Sequence, residues 1–419
     1  MNVERQAGLP QSLLLLLGSC LPVLGAVLLA PILPRMQEHF ADTPGVAVLV
    51  PIALTLPALM IALLAPVAGI IADRLGRKPL LIGAMFLYTV CGVLPLWLES
   101  LEVIVISRAG IGVAEAAIMT CCTTMMGDYY SGARRERMFA LQMVATSLSA
   151  AIFIAVGGVL GEHGWRTPFA LYGLGLVFLP LMVWLLWEPR AQVVTATTAA
   201  GRAFPWRPLA PLYALAFLAG LSLFIVPVQV GYLLNLLHVE GSQQIGMTMG
   251  ASQFGVLVGA LSFRLLRGVP AHRQMLLAFV AAGIGGGLLA VVDSHGLVVI
   301  AVLINGLGIG LMMPTLLTWI MSQVDFQQRG RAAGGFTAMF FAGEFASPLV
   351  VLAITGGMIS ALPAALGIVA GVQLLVALAC IRLRGRRSVF FPLRLPQTLI
   401  ADLPIRRVIK NKKKTRRTS

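Results

Sequence analysis

Charged side chains lie inside long apolar segments at three points of the sequence. Arg108 and Glu115 are seven residues apart in one such segment, and Glu344 lies in the middle of another. Seven residues make about two helical turns, so Arg108 and Glu115 share one face of a helix. A charge at the centre of a bilayer costs roughly 2.5–3.5 kcal/mol, and such residues usually face a partner or a water-filled cavity. The three residues are therefore candidates for a transport function.

Proton transfer is the chemistry that these residues suit best. A carboxyl group at membrane depth binds and releases a proton, and Glu115 and Glu344 are the mid-span carboxyl groups of their respective halves of the chain. Two structural alternatives stay open. Arg108 and Glu115 could form a static ion pair, and Glu344 could make a hydrogen bond to a neighbouring helix. Glu344 could also bind a cationic solute.

Uncharged polar residues within the apolar segments are candidates for contact with a solute. They are equally suited to hydrogen bonds between helices, which small polar side chains make in membranes. The 18 methionines and the phenylalanines could form an adaptable apolar pocket or face lipid. The polar cavity candidates are Gln142, Gln229, Asn235, Gln253 and Asn305.

The composition requires a membrane. Of 419 residues, 58% are hydrophobic and 11% are charged, and the mean hydropathy is +0.90, whereas a soluble protein has about 25% charged residues. Apolar stretches of roughly 20 residues span a bilayer as helices, and the sequence predicts an all-α protein with twelve of them. The predicted spans are 12–33, 47–71, 80–98, 101–126, 138–160, 167–187, 209–236, 246–266, 275–293, 297–321, 334–356 and 362–382.

The distribution of basic residues predicts the topology. With both termini inside, 28 of the 31 lysines and arginines fall in cytoplasmic segments, as the positive-inside rule requires. We therefore expect an integral plasma membrane protein, in a bacterial inner membrane, with cytoplasmic termini. The basic stretch after Arg384 is expected to bind anionic lipid, although a solvated tail without a specific role is the alternative.

An internal repeat divides the chain into two halves. Arg108-Ala-Gly-Ile-Gly-Val in the fourth span parallels Asn305-Gly-Leu-Gly-Ile-Gly in the tenth, at an offset of about 196 residues. Parallel repeats of six spans are common among secondary transporters. The predicted organisation is a six-helix bundle at 1–187, a cytoplasmic linker at 188–208, a second bundle at 209–383 and a basic cytoplasmic tail at 384–419.

The loop between the second and third spans carries the most specific motif. It reads Gly-Ile-Ile-Ala-Asp-Arg-Leu-Gly-Arg-Lys over residues 69–78, here called the signature loop. Its first glycine allows helices to approach closely, its second allows a tight turn, and its aspartate suits the amides at a helix N-terminus. The residues of the motif are Gly69, Asp73, Arg74, Gly76, Arg77 and Lys78.

This loop resembles the G-x-x-x-D-R-x-G-R-[KR] signature of the major facilitator superfamily. The resemblance implies twelve helices in two pseudo-symmetric six-helix bundles, with the loop as a conformational latch between the halves. Arg108 matches the family's fourth-helix arginine, which is implicated in proton coupling. Leu24-Gly25 followed by Pro31 and Pro34 resembles the first helix of its twelve-span drug:proton antiporters. Phe153-Ile154 departs from the Gly-Pro positions of their fifth-helix motif.

The expected function is secondary active transport by alternating access, as proton-coupled efflux of a small amphipathic or lipophilic compound. A proton symporter or facilitator that imports a metabolite is the alternative. An integral membrane enzyme or a non-transporting sensor is a third class, but the sequence has no Walker loop and no Ser/His/Asp arrangement. We expect no catalytic residues, cofactor, metal or nucleic acid. The expected partners are the solute, protons and lipid, and the expected state is a monomer.

Overall fold

The computed structural model describes residues 7–188, 204–266, 268–325 and 328–382. Within these ranges the chain consists of α-helices, short 3₁₀ turns and brief connections, and contains no β-strand. The all-helical fold class is thereby confirmed. The predicted tail at 384–419 and most of the predicted linker at 188–208 lie outside the described residues.

The first span is a broken helix. It comprises α1 (Leu9–Gly18), α2 (Leu21–Val27), a 3₁₀ turn (Ala30–Ile32) and α3 (Leu33–His39). A proline stands in the first two positions of each of these segments. Proline lacks an amide hydrogen and is tolerated at the start of a helix but not in its interior, which explains why the span breaks where it does.

The remaining helices run with short connections. A 3₁₀ turn (Leu94–Leu96) follows α5, another (Thr167–Leu174) precedes α8, and a third (Ile359–Ala361) precedes α14. The helices are α4 (Val46–Leu75), α5 (Arg77–Val93), α6 (Leu101–Tyr129), α7 (Gly132–Gly161), α8 (Gly175–Leu185), α9 (Trp206–Leu236), α10 (Ser242–Leu265), α11 (Ala271–Leu289), α12 (His295–Ser322), α13 (Arg329–Thr355) and α14 (Leu362–Arg382).

Eleven segments of the described chain are long and apolar enough to cross a membrane. The exception among the twelve predicted spans is 275–293, which forms α11. Its first turn carries His272, Arg273 and Gln274, and these polar residues lower its mean hydropathy. α11 nevertheless packs along α12 and α14, so it belongs to the helical bundle.

Helices of the two sequence halves meet along two seams. α7 packs against α10, and α4 packs against α13. The described residues, which end at 382, belong to one compact unit, so the division into bundles at 1–187 and 209–383 stays a prediction. We call the end of the bundle with the loops predicted to be cytoplasmic the inner end, and the opposite end the outer end.

Candidate functional site

An open cavity lies between the two sequence halves, and its empty space is about 1400 Å³ when the solvent in its mouth is included. Its wall comes from the first span, α4, α6 and α7 on one side and from α9, α10, α12 and α13 on the other. Met143 and Met313 line it and are 66% and 43% exposed. Its bulky lining residues are Met119, Met143, Met313, Phe224, Phe340 and Phe341.

Both predicted carboxyl groups reach this cavity. Glu115 lines it from α6 and Glu344 lines it from α13. Among the described residues that line it there is no lysine, arginine or histidine. Apart from these two acids, the described lining is apolar or carries uncharged hydroxyl and amide groups. Such a wall suits an apolar solute that also carries a positive charge or hydrogen-bonding groups.

Arg108 is fully buried behind the cavity and joins three helical segments. Its Nε donates to the carbonyl of Ala53 at 3.0 Å, its Nη1 to the hydroxyl of Tyr172 at 2.6 Å and its Nη2 to the carbonyl of Gly25 at 2.6 Å. All three acceptors are uncharged. Since no ion pair joins Arg108 to Glu115 in the described structure, the static ion pair considered above is not formed here.

Glu115 is buried without a polar partner. Neither carboxylate oxygen has a hydrogen-bond partner among the described residues. One face of the carboxyl group packs against the backbone of Gly25 in α2. A buried carboxyl group without a partner loses its charge readily by taking up a proton.

Glu344 lines the same cavity from the eleventh span, in the second half of the chain. It is 3% exposed, and the described structure contains no hydrogen bond from its carboxyl group to another helix. The structural hydrogen bond considered above is therefore absent from this conformation. The hydroxyl of Ser347, one turn away on α13, is also buried without a partner.

The five polar candidates fall into different environments. Gln142 and Gln253 line the cavity, and Gln142 also donates to the hydroxyls of Ser19 and Thr123, both at 3.0 Å. Gln229 instead lines a smaller cavity of about 430 Å³ beside Thr355, nearer the outer end.

The two asparagines line neither cavity. Asn305 donates to the carbonyl of Ala282 at 2.8 Å and joins α12 to α11. Asn235 lies close to the end of α9, and its Oδ1 is buried without a partner.

Sequence reasoning missed the hydroxyl groups of the cavity wall, which belong to Ser19, Thr123, Thr146 and Ser147. The spacing held a partial signal. Thr123 follows Glu115 by eight residues, and Thr146 follows Gln142 by four. Both intervals place the pairs on one helix face. The sequence alone did not show which face of α7 points inward, because α7 carries apolar residues all round.

The signature loop is held within the first half of the chain. Gly76 has a φ of 93° and makes the turn from α4 to α5. Arg77 forms an ion pair with Asp128 at the end of α6. The Nζ of Lys78 donates to the carbonyls of Val183 and Leu186 at 2.8 and 2.7 Å.

Glu188 accepts the first amides of α5, whereas the sequence pattern suggested Asp73 as an acceptor for the amides of a facing helix. Its carboxylate receives the amide of Arg77 at 2.8 Å and that of Lys78 at 2.7 Å. The side chain of Asp73 is 74% exposed and lies 3.9 Å from Arg77. In this conformation Glu188 is therefore the helix cap, and Asp73 remains available to another partner. Arg74 is exposed.

The inner end shows no close helix approach at the signature loop. Nothing lies within 4 Å of the position that a Cβ would take at Gly69. The same holds at Gly330 and Gly334 near the start of α13. The close packing expected at Gly69 is thus absent from this conformation, in which α4 and α13 make no such contact at their inner ends.

The outer end is closed by packed glycines. A Cβ at Gly158 of α7 would lie 2.6 Å from the carbonyl oxygen of Ser242 and 3.1 Å from the Cα of Gly246. Only a residue without a side chain lets the backbones approach this closely. Gly158 therefore allows close contact between the halves.

A polar cluster covers this seam, and we call Arg35, Glu162 and Gln243 the outer clamp. Arg35 donates to Glu162 at 2.9 Å and to the carbonyl of Gly161 at 2.5 Å. Glu162 also accepts the amide of Gln243 at 2.8 Å, at the start of α10. The hydrogen bond from the amide of Gln243 holds the pKa of Glu162 below its ordinary value, and the Arg35 guanidinium acts in the same direction.

Comparisons with known proteins agree with this architecture. The family model of the Major Facilitator Superfamily matches residues 15–348. Over 407 residues the chain is 26% identical to the tetracycline resistance protein, class C, of Escherichia coli, which covers 90% of this chain and 98% of that relative. It is 28% identical over 233 residues to the chloramphenicol resistance protein of Pseudomonas aeruginosa, with 54% of each chain covered.

Solved structures show the same fold at low sequence identity. A bacterial homolog of the human lysosomal transporter Spinster superposes with a TM-score of 0.72 at 15% identity, covering 90% of this chain and 97% of the other. A D-xylose-proton symporter gives 0.72 at 14% identity, with 88% and 96% covered. With the family match over most of its length, the chain belongs to the Major Facilitator Superfamily and is a membrane transporter, not an enzyme.

Proposed function

We propose that this transporter works by alternating access and exports a small amphipathic or lipophilic compound in exchange for protons. The observation that carries the proposal is the placement of Glu115 and Glu344 in the wall of one apolar cavity, one from each half of the chain, with no lysine, arginine or histidine among its described lining residues. A site between two halves is reached from either side when the halves rock against each other.

The two carboxyl groups supply the coupling chemistry. Each is neutral when it holds a proton and negative when it does not, so proton release creates an attraction for a cationic solute in a low-dielectric wall. Solute and proton then compete for the same groups. Competition of this kind produces exchange, because the arrival of one favours the departure of the other.

The lining supports a lipophilic solute. Three methionines and three phenylalanines face the cavity, and thioether and aromatic groups adapt to ligands of different shape. The hydroxyl and amide groups near Gln142 add a few directional contacts. The names of two relatives, resistance proteins for tetracycline and chloramphenicol, point to export of compounds of this kind.

Import by proton symport is the second candidate. It is favoured by the departure at Phe153-Ile154 from the fifth-helix motif of the antiporters. In the structure Ile154 is fully buried, and its carbonyl oxygen lies 3.0 Å from the position that a Cβ would take at Gly246. This stretch of α7 therefore forms part of the seam with α10, where the antiporter motif has another sequence.

Other features are proposed on the same basis. The signature loop acts as a latch between the halves when the inner end closes, since Asp73 is free to meet a second helix. The protein lies in the plasma membrane as a monomer with both termini inside, and its basic tail contacts anionic lipid.

Solute-driven proton movement in proteoliposomes tests the proposed function. The vesicles contain a pH dye, and the first probe added outside is the lipophilic cation tetraphenylphosphonium. Antiport predicts proton efflux that is lost in Glu115→Gln and in Glu344→Gln. Glu38→Gln, at an exposed outer position, is the matched control.

Two results would change the assignment. Proton influx driven by a metabolite would establish symport instead. Coupled transport with an unchanged pH dependence in the Glu115→Gln/Glu344→Gln double variant would refute the role given to both acids.

A further inference from the structure

The backbone of Gly25 is in contact with the carboxyl group of Glu115. A Cβ built on Gly25 would overlap the Oε1 atom of Glu115, lie 2.9 Å from its Cδ and lie 3.4 Å from the Cγ2 of Ile111. Real Cβ atoms essentially never come within 3.0 Å of such a neighbour. No residue other than glycine therefore leaves the carboxyl group of Glu115 where it is.

The same residue also binds Arg108. The carbonyl of Gly25 accepts from the Nη2 of Arg108 at 2.6 Å, so the two charged residues of α6 contact one residue of the first span. α2 ends two residues further on, at Val27, and the chain then passes through the turn that contains Pro31. Gly25 thus sits in a short helical segment whose position both charged groups of α6 affect.

The carboxyl group of Glu115 occupies the space left by the missing side chain of Gly25, here called the niche, and makes no hydrogen bond there. Its oxygens are buried and unpaired, and the neighbours of Gly25 in the cavity wall are Val23 and Ala26. A methyl group at position 25 would fill the niche and move the carboxyl group into the cavity. There it would meet the solvent and solutes from which the niche now separates it.

We propose that Gly25 is a positioning residue for Glu115, and that its bare Cα holds the carboxyl group in the wall between Arg108 and the cavity. The inference deepens the proposed function, because it rests on Glu115 as the coupling group. Gly25 then has a role beyond the bending of the first span, which its prolines already explain. The first span then responds to the state of Glu115 through direct contact.

Reaction of the carboxyl groups with dicyclohexylcarbodiimide tests the position of Glu115. The purified full-length protein is treated in detergent, and the ratio of modified Glu115 to modified Glu344 is read by peptide mass spectrometry. Glu344 serves as the reference within each molecule. Gly25→Ala is expected to raise the ratio several-fold. Adding Glu115→Asp, whose side chain is one methylene shorter, should return the modification of position 115 towards the wild-type value.

Gly18→Ala is the matched control in the same span. A Cβ there would meet only the flexible ends of Met182 at 3.1 Å and Cys122 at 3.3 Å, so its ratio should stay at the wild-type value. An unchanged ratio in folded Gly25→Ala would overturn the proposal. So would an equal rise in Gly18→Ala.

A double-mutant cycle of melting temperatures tests the same contact if Gly25→Ala folds poorly. The fall in Tm caused by Gly25→Ala should largely disappear in a Glu115→Ala background, because the carboxyl group that clashes is gone. An equal fall in Tm in both backgrounds would show that Gly25 serves only backbone packing, which would contradict the proposal.

These results are separable from those on the proposed function. Labelling and stability need no transport, so a niche at Gly25 together with absent proton coupling would contradict only the antiporter proposal. Conversely, Gly25→Ala should lose solute-driven proton movement as Glu115→Gln does. Wild-type coupling in Gly25→Ala would contradict the positioning role and leave antiport intact.

Discussion

The outer clamp predicts how much free energy keeps the outer end closed. Glu162→Ala removes both the ion pair to Arg35 and the hydrogen bond that caps the amide of Gln243 in the first turn of α10. An exposed ion pair contributes about 0.2–1 kcal/mol, and a helix cap contributes about 1 kcal/mol. The side chains of Arg35 and Glu162 are 32% and 34% exposed, so the ion pair is counted within the range for exposed pairs.

Loss of the clamp should therefore cost the outward-closed state about 1–2 kcal/mol, which raises the ratio of outward-open to outward-closed molecules about 5–30-fold. Glu162→Gln keeps an acceptor for the amide of Gln243 but loses the charge, so its effect should lie between those of Glu162→Ala and the wild type. The outward-open population should be largest in Glu162→Ala, smaller in Glu162→Gln and smallest in the wild type.

The pH dependence of the clamp follows from the lowered pKa of Glu162. A carboxyl group with a lowered pKa contributes fully above its ordinary pKa and loses that contribution as the pH falls through the lowered value. The clamp should therefore contribute equally at pH 6 and pH 8. It should weaken only in more acidic medium, below the ordinary range of a glutamate.

Double electron–electron resonance, which measures the distance between two spin labels, provides the assay. Spin labels at Asp42 and Glu240, both exposed at the outer end on opposite halves, are placed in a background without the five native cysteines. The long-distance population should grow in Glu162→Ala and, less, in Glu162→Gln. Glu99→Gln, at an exposed outer position, is the control. Distance distributions that are identical in all four proteins would refute the role of the clamp.

Three further predictions concern other contacts. Gly158→Ala should also increase the outward-open population in the same distance assay, because its methyl group would meet the carbonyl of Ser242; an unchanged distribution would contradict the close packing. Arg108→Lys should lower the free energy of unfolding by about 1–3 kcal/mol, because at least one buried acceptor loses its donor. Thermal unfolding in detergent measures the change, and Arg166→Lys is the control. Glu188→Ala should speed amide hydrogen exchange in the first turn of α5, because its cap of about 1 kcal/mol is lost, while unchanged exchange would show that the cap contributes nothing.

Much of the candidate site was accessible from the sequence. Arg108, Glu115 and Glu344 stood out because a charge is costly in an apolar span, and that cost is independent of how helices pack. Gln142 and Gln253 were found among polar residues in the same way. Asn305 shows the limit of the method, because its amide joins α11 to α12 and polarity alone does not distinguish such a contact from a place in the cavity.

The sequence by itself determined the class of protein, the predicted topology and the identity of the signature loop. These follow from local quantities: the length of apolar runs, the side on which basic residues collect and the order of glycine and charge in a short motif. Each is read along the chain without knowledge of distant residues.

Only the tertiary structure decided which groups meet. Glu188 caps α5 across 111 residues of sequence, Gly25 lies against Glu115, and Glu162 accepts the amide of Gln243 in the first turn of α10. A helix that is apolar all round gives no signal for its inward face, because lipid and protein interior are equally apolar. The partners of each buried group are therefore set by how the helices pack, which no single span encodes.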